Sequence, residues 1–115
     1  MEPVLVDRPI SKELIRQKAH ELFGDFAKAV VDIEFGIMMV GGEMHVDLEQ
    51  LLLEKGSEQQ NLWGINLYPE KGEDEWIEFD SMINLRPGQD NRSRGVDNAD
   101  TRARIAKVVA SLLST

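Results

Sequence analysis

Apolar residues recur along the chain with the two spacings that distinguish strands from helices. Val4–Val6 is a short apolar run that predicts an opening strand. Ser11 then suits a helix N-cap, and apolar side chains follow at helical spacing until Gly24. The chain is therefore predicted to open with a strand followed by a helix.

Residues 29–47 alternate between apolar and polar side chains and indicate a β-hairpin that turns at residues 35–36. A two-residue turn would pair Glu34 with Ile37. The alternation directs one set of side chains toward the core, namely Val31, Ile33, Phe35, Met38, Val40, Met44 and Val46. It directs a second set toward the opposite face, namely Asp32, Glu34, Glu43, His45 and Asp47.

The second half of the chain repeats this arrangement. Asp47 suits the N-cap of a short helix, and residues 61–68 and 76–85 then indicate a second hairpin. Its inward side chains are predicted to be Trp63, Ile65, Leu67, Ile77, Phe79, Ile83 and Leu85, with Trp76 on the opposite face. Asp97 or Asn98 would cap a last helix with an apolar stripe.

The predicted elements follow in the order β-α-ββ-α-ββ-α, which is typical of an α+β fold. We expect an antiparallel or mixed sheet of four or five strands, with helices packed mainly on one face. The 115 residues are the length of a single domain, which we place at 1–115.

Three stretches of the sequence carry a resemblance: GIMMVGGEMHVDLEQLLLEKGS, LWGINLYP and IEFDSMINLRPGQDNRSRGV. With these stretches the chain resembles a family of small prokaryotic proteins of unknown function, over residues 29–96. The resemblance implies a compact single domain, and it implies no catalytic residue.

The composition excludes several classes of function. The chain has no cysteine, which excludes disulfides, thiolate catalysis and cysteine-ligated metals. Its formal net charge of -8 argues against broad binding to duplex nucleic acid. Signal-peptide patterns, bilayer-length apolar runs and dinucleotide fingerprints are absent from the sequence, so we expect a cytoplasmic protein with no membrane partner and no cofactor.

Arginines are concentrated in residues 85–104, a polar segment rich in turn-forming residues. Five of the seven lie there, namely Arg86, Arg92, Arg94, Arg102 and Arg104. With three aspartates, the segment carries about +2 and the rest of the chain about -10. A guanidinium matches carboxylate or phosphate with a planar fork of donors, so the segment is a candidate anion site. The alternative is a loop attached by its arginines to the protein's own acidic surface.

Polar side chains beside this segment could complete such a site. Asp80 and Asn84 lie toward the end of a predicted strand, where they would either hold the loop by hydrogen bonds or contact a ligand. We therefore predict a group of ligand-binding residues at the junction of strand and loop: Asp80, Asn84, Arg86, Asn91, Arg92 and Arg94.

His45 is the centre of a second candidate group. If Glu43, His45 and Asp47 share one face of a strand, their side chains could converge on a divalent cation. Alternating polar residues are equally typical of a half-solvated strand without a metal, and we predict no metal site here. His45 and Asp80 are also the candidate catalytic residues.

These observations lead to three hypotheses. The first is a module without catalysis that binds a small anionic ligand or an acidic protein surface through loop 86–94. The second is a hydrolase, for example of phosphoesters, in which His45 supplies acid and base chemistry beside the arginines. The third is a homo-oligomer whose loop pairs with the acidic face of another copy.

Overall fold

A five-stranded antiparallel sheet forms the centre of the protein in its computed structural model, which describes residues 2–114. The strands are β1 (Val4–Val6), β2 (Ile10–Ser11), β3 (Ala27–Asp32), β4 (Ile37–Val40), β5 (Leu62–Leu67), β6 (Ile77–Glu78) and β7 (Leu113–Ser114). Five of them pair in the order β1-β4-β3-β5-β6, and β2 pairs with β7 in a short parallel ribbon. The predicted α+β class is confirmed.

Three helices cover the sheet: α1 (Lys12–Leu22), α2 (His45–Glu54) and α3 (Ala99–Leu112). The side chain of Ser11 caps α1 and that of Asn98 caps α3, as the sequence predicts. α1 and α3 pack against one face of the sheet, and α2 packs against the other. No helix within residues 2–114 is both long and apolar enough to cross a membrane.

The sheet is buried on both faces because α1 and α3 cover one and α2 covers the other, and successive residues of the central strand contribute to the two cores in turn. Ala29 and Val31 of β3 belong to the larger core under α1 and α3, whereas Val30 belongs to the smaller core under α2. The other buried members of the smaller core are Met39, Leu48, Leu52 and Leu62. The face predicted to be polar is therefore partly covered by a helix.

The first hairpin has a longer turn than the sequence predicts. Asp32 pairs with Ile37, so residues 33–36 form the turn and the register differs by two residues. The carboxylate of Asp32 accepts two amide hydrogen bonds inside this turn, which stabilises the longer loop. Because the shift is even, the predicted core residues of the paired strands keep their face, but Phe35 projects into solvent.

The segment 43–47 is not a strand, which corrects the prediction for the second candidate group. β4 ends at Val40, and residues 41–42 are glycines with φ of +101° and +96°. This left-handed conformation ends the extended ladder. α2 begins at His45, so Asp47 lies in its first turn and is not the N-cap.

The second hairpin is confirmed in its first strand and much shorter in its second. Only Ile77–Glu78 pairs with β5, and the chain then forms a 3-10 helix at Met82–Asn84. Of the predicted inward residues, Ile83 contacts the smaller core instead and Leu85 is 42% exposed. Trp76, predicted on the polar face, is buried in the larger core.

Candidate functional site

The junction of strand and loop is held by the side chain of Asn84, which is 0% exposed. Its Oδ1 accepts a hydrogen bond of 2.8 Å from the amide of Gly64, and its Nδ2 donates to the carbonyl of Gly64 at 2.9 Å. This side-chain amide takes the place of a strand partner for β5 beyond the end of β6. Nδ2 also donates to the carbonyl of Arg94 at 3.0 Å, which connects β5 to the arginine loop.

Asn91 holds the loop from its interior and is 3% exposed. Its Nδ2 donates to the carbonyls of Asn84, Ser93 and Gly95 at 2.7, 3.1 and 2.8 Å. Its Oδ1 accepts a hydrogen bond of 2.8 Å from the amide of Asp97. The loop backbone between residues 84 and 97 is therefore organised around one buried side chain.

The guanidinium of Arg86 is directed into the protein. It donates to three backbone carbonyls, those of Gln59, Leu62 and Ile83. Its Nη2 lies 3.7 Å from the carboxylate of Glu49, and its Cζ lies 4.7 Å from the ring centroid of Trp63. Burial lowers the pKa of Arg86, and the charge of Glu49 opposes this shift. Arg86 thus stabilises the start of β5, with its donors turned away from solvent.

Arg92 and Arg94 project from the loop into solvent. Nε of Arg94 donates to Oδ1 of Asp80 at 2.7 Å in a pair whose side chains are about half exposed. Within the described chain, the guanidinium of Arg92 makes no hydrogen bond or ion pair. Hydrogen bonds from the Ser93 hydroxyl and the Arg92 amide hold the pKa of Asp97 below its usual value. The guanidiniums of Arg92 and Arg94 are therefore the accessible cations of the predicted site.

His45 lies in the first turn of α2. It is 8% exposed, and its Nε2 lies 2.8 Å from the carbonyl oxygen of Ile65. Because a carbonyl only accepts, Nε2 carries the proton and Nδ1 of the neutral ring has a free lone pair. Burial lowers the pKa of His45, the Ile65 bond and Asp80 raise it, and Lys28 and Arg94 lower it. Asp80 and Arg94 thus act on the pKa of His45 in opposite directions.

A further polar group on the same face was not singled out from the sequence. Asn66 is 6% exposed, and its Nδ2 donates to Oε1 of Glu78 at 2.8 Å. The hydroxyl of Tyr68 donates to the same oxygen at 3.3 Å, and partial burial together with the Glu78 charge raises the pKa of Tyr68. Oδ1 of Asn66 is buried and has no hydrogen-bond partner among the described residues. Alternation placed these side chains on one face, but it carried no signal that Asn66 is buried.

The three residues considered for a metal do not converge. Glu43 and Asp47 are exposed and line a surface cavity, whereas His45 is directed at β5. The divergence follows from the end of β4 at Val40, because residues two apart share a face only in a strand. Within residues 2–114, no group of three or more His, Asp or Glu side chains could hold a metal ion.

Comparison with known proteins identifies a family. No curated protein and no solved structure matches the chain significantly. The sequence pattern of DUF5674, described as a protein of unknown function, matches residues 4–112. This match covers the central sheet and all three helices, and it extends the resemblance over residues 29–96 to almost the whole chain. The chain therefore belongs to DUF5674, a family of proteins of unknown function.

Proposed function

We propose that the protein binds a small anionic ligand, through a phosphate or carboxylate group, at Arg92 and Arg94. The observation that supports this is that buried side chains hold the backbone of the loop in place. Two buried asparagines, Asn84 and Asn91, fix the backbone while both guanidiniums remain in solvent. A loop that is already ordered loses little conformational entropy when it binds, so its donors are presented at low entropic cost.

The charges around the loop also favour an anion. The ion pair between Arg94 and Asp80 is half exposed and contributes little to stability, so a phosphate or carboxylate can replace Asp80 as the partner of Arg94. Arg92 offers its donors without breaking a described contact. Asn84, Asn91 and Arg86 support the loop from behind and do not contact the ligand in this proposal.

Thermal unfolding in inorganic phosphate and in sulfate tests the proposal. A ligand at a hundred times its Kd raises the free energy of unfolding by about 2.7 kcal/mol. We expect this shift in the wild type and its loss in the double variant Arg92→Gln/Arg94→Gln. Arg8→Gln, which changes an arginine whose side chain is 83% exposed, is the matched control and keeps the shift. Added chloride weakens the effect because exposed charges are screened.

Two results would contradict binding at this loop. The first is that neither phosphate nor sulfate raises the unfolding temperature of the wild type. The second is that the anions raise the unfolding temperature of the wild type and the double variant equally. If the double variant unfolds in the absence of anions, the two arginines stabilise the fold and are not a ligand site.

His45 favours a second candidate function, the hydrolysis of an ester of the bound anion, such as a phosphoester. Nδ1 of the neutral imidazole carries the lone pair that a general base needs, and burial favours this neutral form. The positive charge of Arg94, which acts on the pKa of His45, would favour an anionic transition state. This function stands second because His45 is 8% exposed, whereas Arg92 and Arg94 are already accessible.

Hydrolysis of p-nitrophenyl phosphate tests this second function. His45→Gln keeps an N–H that can donate to the Ile65 carbonyl but removes the base, so it should abolish turnover and leave the phosphate-induced thermal shift unchanged. Absence of turnover in the wild type would contradict hydrolysis of this ester without affecting the binding proposal. Full turnover in His45→Gln would show that His45 is not the base.

A further inference from the structure

An exposed aromatic side chain lies at the tip of the β3–β4 hairpin, where Phe35 is 61% exposed. The turn beneath it is rigid, because the buried carboxylate of Asp32 accepts hydrogen bonds of 2.9 Å from the amides of Glu34 and Phe35. The hydroxyl of Ser57 donates to the other carboxylate oxygen at 2.6 Å. Phenylalanine is among the residues enriched in protein interfaces relative to the rest of the surface.

Two surface cavities flank this phenylalanine. One has a volume of about 400 Å³, and its lining includes the apolar residues Ile33 and Val108 beside the bases Arg104 and Lys107. The other has a volume of about 460 Å³ and is lined by acidic and amide side chains, including Glu34, Glu58 and Gln60. Phe35 and Glu34 line both cavities, so the two form one continuous surface.

The two sides of this surface carry opposite charges. Lys107 is exposed on the basic side and Glu58 is exposed on the acidic side. Within residues 2–114 neither side chain makes an ion pair, so both charges are available to a partner. A surface with a base on one side of an apolar centre and an acid on the other is complementary to a copy of itself rotated by 180°.

We propose that this surface, centred on Phe35, is the interface of a twofold homodimer. Each Phe35 packs against Ile33 and Val108 in the partner's cavity on the basic side, and Lys107 of each copy faces Glu58 of the other. The twofold axis repeats the contact between Lys107 and Glu58, so it occurs twice in the dimer, and a partner of a single charge sign would not satisfy both charges. The two cavities are lined by 11 different residues, fewer than the roughly 20–30 per partner of a standard interface, so the dimer forms reversibly and depends on protein concentration.

Sedimentation velocity over a range of protein concentrations tests the proposal. The wild type should shift from monomer to dimer as its concentration rises, and Phe35→Ser should remain a monomer. Met82→Ser is the matched control, since Met82 is 64% exposed but does not line either cavity, and it should dimerise like the wild type. A wild type that is monomeric throughout, or a dimer that persists in Phe35→Ser, would overturn the proposal.

A charge exchange tests the twofold arrangement itself. Lys107→Glu and Glu58→Lys each place like charges together twice in their own homodimer, so each variant alone should be largely monomeric. An equimolar mixture of the two restores two opposite-charge contacts in the heterodimer and should recover dimerisation. Both changes are at exposed positions and should leave the circular dichroism spectrum unchanged. A mixture that stays monomeric would overturn the proposed pairing of these two charges.

Discussion

Replacing Asn84 with alanine tests whether one buried side chain connects β5 to the arginine loop. The change removes the hydrogen bonds of 2.8 and 2.9 Å to Gly64 and the bond of 3.0 Å to the carbonyl of Arg94. The carbonyl of Arg94 keeps the amide of Ser81 as a donor at 2.9 Å. The amide and carbonyl of Gly64 lose the partner that Asn84 provides, inside a fully buried strand.

The size of the effect follows from these two groups. A buried backbone group left without a hydrogen bond costs about 1–3 kcal/mol, so two such groups cost about 2–6 kcal/mol. A water molecule that enters the space vacated by the side chain recovers part of this free energy. We therefore expect the free energy of unfolding of Asn84→Ala to fall by about 3 kcal/mol.

Urea denaturation measures this loss as a lower midpoint at an unchanged m-value. Hydrogen exchange should show faster exchange at the amide of Gly64 in the variant. Asn61→Ala is the matched control, because Asn61 is half-buried and its side chain makes no hydrogen bond within the described residues. The control should change stability by no more than about 0.5 kcal/mol. An equal effect of the two substitutions would refute the role assigned to Asn84.

Two further outcomes are expected. Gly64→Ala should lower the free energy of unfolding by about 1–3 kcal/mol, measured by thermal unfolding, because the added Cβ would lie 2.5 Å from Cβ of Ser81. Gly88→Ala is the control: its added Cβ meets nothing within 4 Å, so the change should be neutral. Burial lowers the pKa of His45 from 6.5 in the folded protein. The unfolded chain therefore protonates His45 at a higher pH than the folded chain does. The free energy of unfolding should fall as the pH drops from 6.5 through the folded pKa. His45→Gln, which can still donate to the Ile65 carbonyl, should show a smaller drop in urea midpoint on acidification, and an identical drop in both proteins would contradict this account.

Much of the fold follows from the sequence because periodicity reports which side chains are buried. The caps Ser11 and Asn98 act locally, through side-chain bonds to amides two or three residues away, so their positions are predictable from neighbouring residues. The alternation of Trp63 and Ile65 likewise identifies a strand and its inward face. The prediction of a strand at residues 43–47 was wrong, because alternation is also compatible with the first turn of a helix that buries only some of its side chains.

The sequence by itself determined the order of the main elements, most of the larger core and the concentration of arginines in residues 85–104. Arg86, Arg92 and Arg94 all lie in the same polar loop along the chain, and only the tertiary structure separates their roles. Arg86 lies against Trp63 and three carbonyls from distant segments, whereas Arg92 and Arg94 remain in solvent. The role of Asn84 is likewise visible only in the tertiary structure, because its partner Gly64 is 20 residues away along the chain. Long-range contacts of this kind depend on how strands and loops meet in space, which local spacing along the chain does not encode.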